Sequence, residues 1–149
     1  MLEQLQPKVA IVILNYNTRS LLERFLPSVL ATQYANKEIW VVDNASNDDS
    51  LQFVLENYKE IKLLKTDENL GYAGGYNWAL KQIEADYYVL LNSDIRVTSN
   101  WINPLMDLAL RDPGIAAIQP KILDAKSTEM FEYAGASGGF LDKWGYAFC

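Results

Sequence analysis

Four short polar segments carry nearly all the residue types in this chain that could bind or transform a ligand. They are Asn15-Tyr16-Asn17, Asp43-Asn44-Ala45-Ser46-Asn47-Asp48, the stretch from Asp67 to Asn77, and Asn92-Ser93-Asp94. The third contains Asn69-Leu70-Gly71-Tyr72-Ala73-Gly74-Gly75-Tyr76-Asn77, in which Gly71, Gly74 and Gly75 let backbone N–H groups approach a phosphate where a helix begins. The fourth offers hard oxygen ligands from Asn92, Ser93 and Asp94, the kind Mg²⁺ or Mn²⁺ takes while keeping waters and substrate phosphates in its shell. There is no histidine, so Ser-His-Asp and Cys-His catalysis are excluded and proton transfer falls to a carboxylate or tyrosine. The lone cysteine, Cys149, rules out a His/Cys zinc site and an intrachain disulfide.

Each polar segment follows an apolar run that reads as a strand. Val9 to Leu14 is unbroken and rich in β-branched residues, as expected for a central strand covered on both faces. Ile39–Val42, Ile61–Leu64, Tyr87–Leu91 and Ile115–Ile118 are expected as four further strands. Between them, Leu21, Leu22, Phe25, Leu26, Val29 and Leu30 recur with helical spacing, as do Leu51, Val54, Leu55 and Tyr58. Trp78, Ala79 and Ile83 mark a third helix, and Leu105, Met106, Leu108 and Ala109 a fourth. Asp48, Asp49 or Ser50 is the expected cap of the second helix; Pro104 belongs in the first turn of the fourth, with Asn103 as its cap.

The alternation predicts a Rossmann-like, doubly wound α/β fold with a mostly parallel sheet. Such a sheet brings the ends of its strands to one edge, where ligands bind. Asn, Asp and Gly also make ordinary turns and caps. Convergence of four such segments on one edge favours a site. No GxGxxG follows the first strand and no Walker A motif occurs, so neither dinucleotide nor P-loop binding is indicated.

With 149 residues, half of them apolar, the chain has the size and composition of one folded domain. A net charge of −6 argues against nucleic acid as a partner. It also makes a bridging cation useful for holding a diphosphate. The longest strongly apolar run is far shorter than a membrane span, and the N-terminus lacks the pattern of a secretory signal. The expected location is the cytoplasm, or the inner face of the membrane for a full-length enzyme. Lys59, Lys62 and Lys65 are expected on a solvated face, and Trp40, Trp78 and Trp101 in the core or half-buried.

Taken in order, Val12-Ile13-Leu14-Asn15-Tyr16-Asn17, Val41-Val42-Asp43-Asn44-Ala45-Ser46, Asn69 to Asn77 and Leu91-Asn92-Ser93-Asp94 resemble family 2 glycosyltransferases of the GT-A fold. The likeness is closest to the rhamnosyltransferase-like branch and runs from about Lys8 onward. It implies an inverting enzyme that transfers a sugar from a nucleotide-diphospho-sugar, UDP- or dTDP-linked, to a glycan or lipid-linked acceptor. On this resemblance the turn after the first strand, with Asn15, contacts the base; Tyr16 lies against it, Leu14 contributes backbone, and Asp43 and Asn44 meet base or ribose. Gly71, Tyr72, Gly74, Gly75 and Asn77 flank the ribose-diphosphate. Asn92-Ser93-Asp94 stands where the family carries Asp-x-Asp, making Asp94 the metal ligand and Asn92 a weaker ligand or sugar contact.

The resemblance divides the chain into a nucleotide-sugar-binding core, 1–120, and the start of an acceptor-side region, 121–149. The family's general base lies well beyond the metal motif. Asp124, Glu129, Glu132 and Asp142 are the carboxylates after the last expected strand, and none is assigned that role. The expectation is the donor-binding half of a longer enzyme, with its base beyond Cys149. Phe131, Phe140, Trp144 and Phe148 would then leave an apolar surface favouring self-association. Two other readings are a non-catalytic binding or assembly module and a nucleotidyltransferase. The segment after the first strand has one arginine and no glycine, which disfavours the second.

Overall fold

The computed structural model describes residues 6–132, 140–141, 143–144 and 147–148. Its chain divides into two compact units, 1–102 and 103–149.

The first unit is built on four parallel strands in the order β3-β2-β1-β4. They are β1 (Val9–Asn15), β2 (Lys37–Asp43), β3 (Lys62–Lys65) and β4 (Tyr87–Leu91). The connecting helices are α1 (Arg19–Leu30), α2 (Ser50–Asn57) and α3 (Gly71–Leu80). Successive crossovers step from β1 to β2 to β3, and the next returns past β1 to β4. With right-handed crossovers, that reversal puts α3 on the face opposite α1 and α2. One layer of the core accordingly joins Ala10, Val12 and Val42 to Tyr76, Ala79 and Ile83. Val9, Ile11, Ile13 and Val41 alternate to the other face and are equally buried, as are Leu22, Leu26 and Val29 of α1 and Val54 of α2. The burial of Leu22, Leu26 and Val29 is the i, i+4, i+7 stripe expected from the sequence.

β1 is paired on both sides, which is why its run is apolar throughout. Among the described residues β4 is paired only with β1. Tyr88 and Leu90, in register with the buried Ala10 and Val12, are exposed.

At the start of the strands, Glu38 receives Lys62 Nζ at 2.7 Å, Lys8 Nζ at 3.0 Å and Trp40 Nε1 at 3.2 Å. Burial pushes its carboxyl upward, but the hydrogen bonds from Lys62, Lys8 and Trp40 outweigh this and hold it below its ordinary value. A depressed carboxyl contributes stability above its unfolded pKa, about 4.3, and loses it as pH falls through the folded value. Glu38→Gln is therefore expected to cost about 1 kcal/mol or less at pH 7, a melting shift of about 2–4 °C. That gap should narrow as the pH is lowered below about 4.3 and through the folded value; a gap that does not narrow on acidification would contradict the assignment.

Two local expectations need correction, and a third is met at one of its three candidate residues. Ile115–Ile118 is not a strand. Two of its four residues are alanines, weak strand formers, and no strand among the described residues completes a ladder with it. Asn103 lies inside α4 (Ile102–Arg111) rather than capping it, although Pro104 does fall in the first turn. Of the three expected caps of α2, Asp49, which precedes the helix, makes no side-chain cap bond, and Asp48 supplies one. Asp48 accepts from the Ser50 N–H and hydroxyl. Trp40, Trp78 and Trp101 are half-buried, and Lys59, Lys62 and Lys65 are exposed.

In the second unit, Asp112-Pro113-Gly114 follows the end of α4. Leu123 bridges Phe131 across a turn closed by Asp124, whose Oδ1 accepts from the Lys126 and Ser127 N–H groups at 2.7 Å. A short antiparallel pair joins β5 (Phe140–Leu141) to β6 (Ala147–Phe148). Phe131 and Trp144 are exposed, as expected. The side chains of Phe140 and Phe148, the Tyr133–Gly139 stretch, Asp142, Gly145 and Cys149 lie outside the described residues. No helix among the described residues is long and apolar enough to cross a membrane.

Candidate nucleotide-sugar site

The strand register sets the site. Asn15, the last residue of β1, stands beside Asp43, the last of β2. Asn15 Nδ2 donates to Asp43 Oδ1 at 2.9 Å and lies 3.0 Å from Ser46 Oγ. Asp43 Oδ2 accepts from the Ser46 N–H at 3.3 Å, and Thr18 Oγ1 donates to Asn15 Oδ1 at 2.5 Å. The loops after β1 and β2 are laced further by the Asn17 N–H on Ser46 Oγ, the Asn47 N–H on Asn17 Oδ1 and the Arg19 N–H on Asp48 Oδ2. Burial raises the Asp48 carboxyl, but the bonds from Ser50 and the Arg19 backbone prevail and hold it below its ordinary value. Asn17 and Ala45 turn the two loops with φ of 56° and 60°. Asn can support that geometry with its side chain, whereas Ala pays for its Cβ.

Asn44 performs the corresponding task for the third loop. Its Nδ2 donates to Asn69 Oδ1 at 2.9 Å and to the Gly71 carbonyl at 3.2 Å, and its Oδ1 accepts from the Leu70 N–H at 3.0 Å. Asn69 Oδ1 also accepts from the Gly71 N–H at 2.8 Å, closing a turn in which Gly71 has φ of 70°. Gly75 brings α3 onto the strand ends: a Cβ there would lie 2.7 Å from Leu14 Cδ1. No side chain caps α3 at Leu70, and Gly71, Tyr72 and Ala73 are exposed. Asn69 takes the Gly71 N–H, which leaves the Tyr72 and Ala73 N–H groups as the first-turn donors placed to receive an anion.

The fourth segment meets α3 through two tyrosines one helical turn apart. Tyr76 OH, buried, donates to the Leu91 carbonyl at 3.1 Å. Burial, with Tyr72 beside it, pushes the Tyr76 phenol far above the usual tyrosine range, so it remains a donor. Tyr72 OH donates to Asn92 Oδ1 at 3.2 Å, and the two rings meet edge to face at 5.0 Å. Asn92 and Asp94 are exposed and Ser93 half-buried.

The structure places the expected site residues at the C-terminal ends of the strands and the start of α3, in two groups, except Asn77, which lies in the second turn of α3. Asn15, Asp43 and Asn44 are 0%, 1% and 2% exposed and bind the loops to one another. Tyr16, Gly71, Tyr72, Asn77, Asn92 and Asp94 are exposed, with Leu14, Gly74 and Ser93 half-buried and Gly75 buried under Leu14. Sequence reasoning left Ser46, Asn17 and Thr18 without roles and gave Asn69 only a place in the segment flanking the ribose-diphosphate, though all four carry loop bonds. Asn69-x-Gly71 has the spacing of a side-chain-closed turn, which was a usable signal.

No group of three or more Asp, Glu, His or Cys able to hold a metal occurs among the described residues. Asn92 and Asp94 supply an amide carbonyl and a single carboxylate. That donor set fits a Mg²⁺ or Mn²⁺ whose remaining ligands are waters and phosphate oxygens, and it does not fit a cation caged by protein alone.

Comparison with known proteins places this edge in context. The O-antigen biosynthesis protein RfbC of Myxococcus xanthus is 30% identical over 146 residues, covering 95% of this chain and 11% of that protein. The N-acetylglucosaminyl-diphospho-decaprenol L-rhamnosyltransferase of Mycobacterium tuberculosis is 29% identical over 125 residues, 76% of this chain and 41% of that one. The chain therefore spans well under half of these relatives. Among solved structures, the mannosyltransferase PcManGT of Pyrobaculum calidifontis, in complex with GDP-Man and Mn²⁺, superposes with a TM-score of 0.66 at 23% identity. It covers 79% of this chain and 37% of that one, and it shares the GT-A fold expected here. The sequence profile of glycosyl transferase family 2 matches residues 10–136, and the chain belongs to that family.

Proposed function

We propose that this chain is the donor-binding part of an inverting glycosyltransferase, acting from a UDP- or dTDP-sugar toward a hydroxyl of a glycan or lipid-linked acceptor in bacterial surface-polysaccharide synthesis. The observation that carries the reading is the Tyr72–Asn92 hydrogen bond. It sets the exposed first turn of α3 beside the loop bearing Asp94, so backbone amides suited to an anion and a ligand suited to a cation stand side by side. The relatives' names and the Mn²⁺ complex of the solved neighbour support it.

In this reading the exposed Tyr16 ring stacks on the base. The loop shaped by Asn15, Asp43 and Ser46 presents Tyr16, and the loop shaped by Asn44 and Asn69 presents the α3 amides to the diphosphate. Asp94 and Asn92 would hold the Mg²⁺ or Mn²⁺. Mg²⁺ or Mn²⁺ bound there supplies Lewis-acid stabilisation of charge on the departing diphosphate. The acceptor oxygen bonds to the anomeric carbon as the bond from that carbon to the diphosphate oxygen breaks. The hydroxyl proton passes to a carboxylate. None of the described carboxylates is assigned that part; Asp124 is engaged in closing its own turn.

Calorimetric titration of residues 1–149 with UDP, dTDP and GDP, with Mn²⁺ or with EDTA, tests this. One diphosphate is expected to bind at least tenfold tighter with Mn²⁺, and Asp94→Ala should remove that enhancement. Absence of binding to all three under both conditions would refute the donor-site reading.

A further inference from the structure

The loop that carries Asp94, residues 92–101, leads from β4 to α4. Its near end is tied to α3, where Tyr72 donates to Asn92 Oδ1 and Tyr76 to the Leu91 carbonyl. Its far end is tied to a different helix. The Val97 N–H donates to Ser28 Oγ of α1 at 3.2 Å. Just after α1, the Gln33 N–H donates to the Ser99 carbonyl at 2.6 Å, and the buried Thr32 Oγ1 accepts from Trp101 Nε1 at 3.0 Å. Asp94 stands between the two moorings, and the Ser28 bond is the far contact nearest to it in the chain. Ser28 is oriented for this contact by its own helix. Its O–H donates to the Phe25 carbonyl at 2.8 Å, which directs the proton into α1 and leaves a lone pair for the Val97 N–H.

We propose that Ser28 is a positioning residue for the cation ligand: by holding the Val97 N–H it fixes the loop after β4 so that Asp94 is in place before cation and nucleotide arrive. The inference rests on the donor-site reading above. Asp94 is exposed, so the chain on either side of it sets where its carboxylate stands. Order that the loop already has is order that binding need not impose. Ser28 touches no ligand in this arrangement and acts only through the loop backbone.

The test titrates the tightest-binding of UDP, dTDP and GDP, with Mn²⁺ or with EDTA, into the parent chain, Ser28→Ala, Ser28→Thr, Asp94→Ala and the Ser28→Ala/Asp94→Ala double variant. Alanine is a better helix former than serine, so α1 is retained. Ser28→Ala is expected to weaken binding about two- to tenfold with Mn²⁺, the size of one hydrogen bond, and to leave binding in EDTA unchanged. Ser28→Thr keeps the hydroxyl and should bind as the parent does. In the Asp94→Ala background the alanine change should have no effect. Hydrogen exchange without ligand gives a second readout: the Val97 amide should exchange faster in Ser28→Ala while the β1 amides are unchanged. An equal loss with Mn²⁺ and with EDTA, a loss that persists in the Asp94→Ala background, a threonine variant no better than alanine, no loss at all, or an unaltered Val97 amide overturns the positioning role while leaving the donor site standing. Failure of the parent to bind any of the three nucleotides overturns the donor site itself, and with it the role of Ser28.

Discussion

Asp43→Ala is expected to lower the melting temperature by about 5–15 °C and to weaken nucleotide binding at least tenfold. The reason is not the missing charge. Alanine strips the acceptor from Asn15 Nδ2 and from the Ser46 N–H at a site that is 1% exposed. Each buried donor left without a partner costs about 1–3 kcal/mol, and each kcal/mol moves the midpoint about 2–4 °C at this size. Asp43→Asn separates the two explanations. An asparagine amide facing Asn15 presents N–H to N–H, but the Asn15 amide can turn over. Its oxygen would then accept from residue 43 and from Ser46 Oγ, and its nitrogen would donate to Thr18 Oγ1, all of which are within reach in the present network. Asp43→Asn should therefore retain most of the stability that Asp43→Ala loses. Equal losses in thermal melts would show that the carboxylate charge, rather than the network, is required.

Asn44 admits no such rearrangement. Both of its N–H groups and its oxygen are committed, to Asn69, to the Gly71 carbonyl and to the Leu70 N–H. Asn44→Ala is expected to cost about 2–4 kcal/mol and to abolish nucleotide binding, because the turn that starts α3 loses its staple. Asn44→Asp, nearly identical in shape, should be equally harmful. Its second carboxylate oxygen would face Asn69 Oδ1 and the Gly71 carbonyl, acceptor against acceptor. Chemical denaturation of both variants, with the same nucleotide titration, checks this. An Asn44→Asp protein as stable as the parent would contradict it.

These two positions also show what could be read from the sequence. The doubly covered β1, the helical stripe of α1 and the convergence of polar segments on one edge follow from periodicity and residue type. What separates Asn15, Asp43 and Asn44 from Tyr16 and Asp94 does not. A polar residue at the end of a strand has the same composition whether it faces a ligand or its neighbour. The decision is made by the register that puts Asn15 beside Asp43, and register is a property of the assembled sheet. The positive φ of Ala45 has no signal in its residue type, since alanine does not favour it. Ile115–Ile118 failed as a strand for a related reason: a strand needs a partner, and a four-residue apolar run does not specify one.

The pairing of β4 with β1 alone, among the described residues, makes the site thermodynamically uneven. The wall built by Asn15, Asp43 and Asn44 continues strands β1 and β2, each hydrogen-bonded on both sides. Their amides open only with the sheet as a whole, and so report global unfolding in hydrogen exchange. The tip that carries Asn92 and Asp94 extends a strand with one laddered edge and two uncovered side chains, Tyr88 and Leu90. Its opening free energy is smaller, and the Tyr76–Leu91 bond is what ties it to α3. The wall of Asn15, Asp43 and Asn44 is expected to exchange near the protein's full stability, and the tip bearing Asn92 and Asp94 to open more often. A ligand that bridges the two is therefore expected to add more exchange protection to β4 than to β1 or β2.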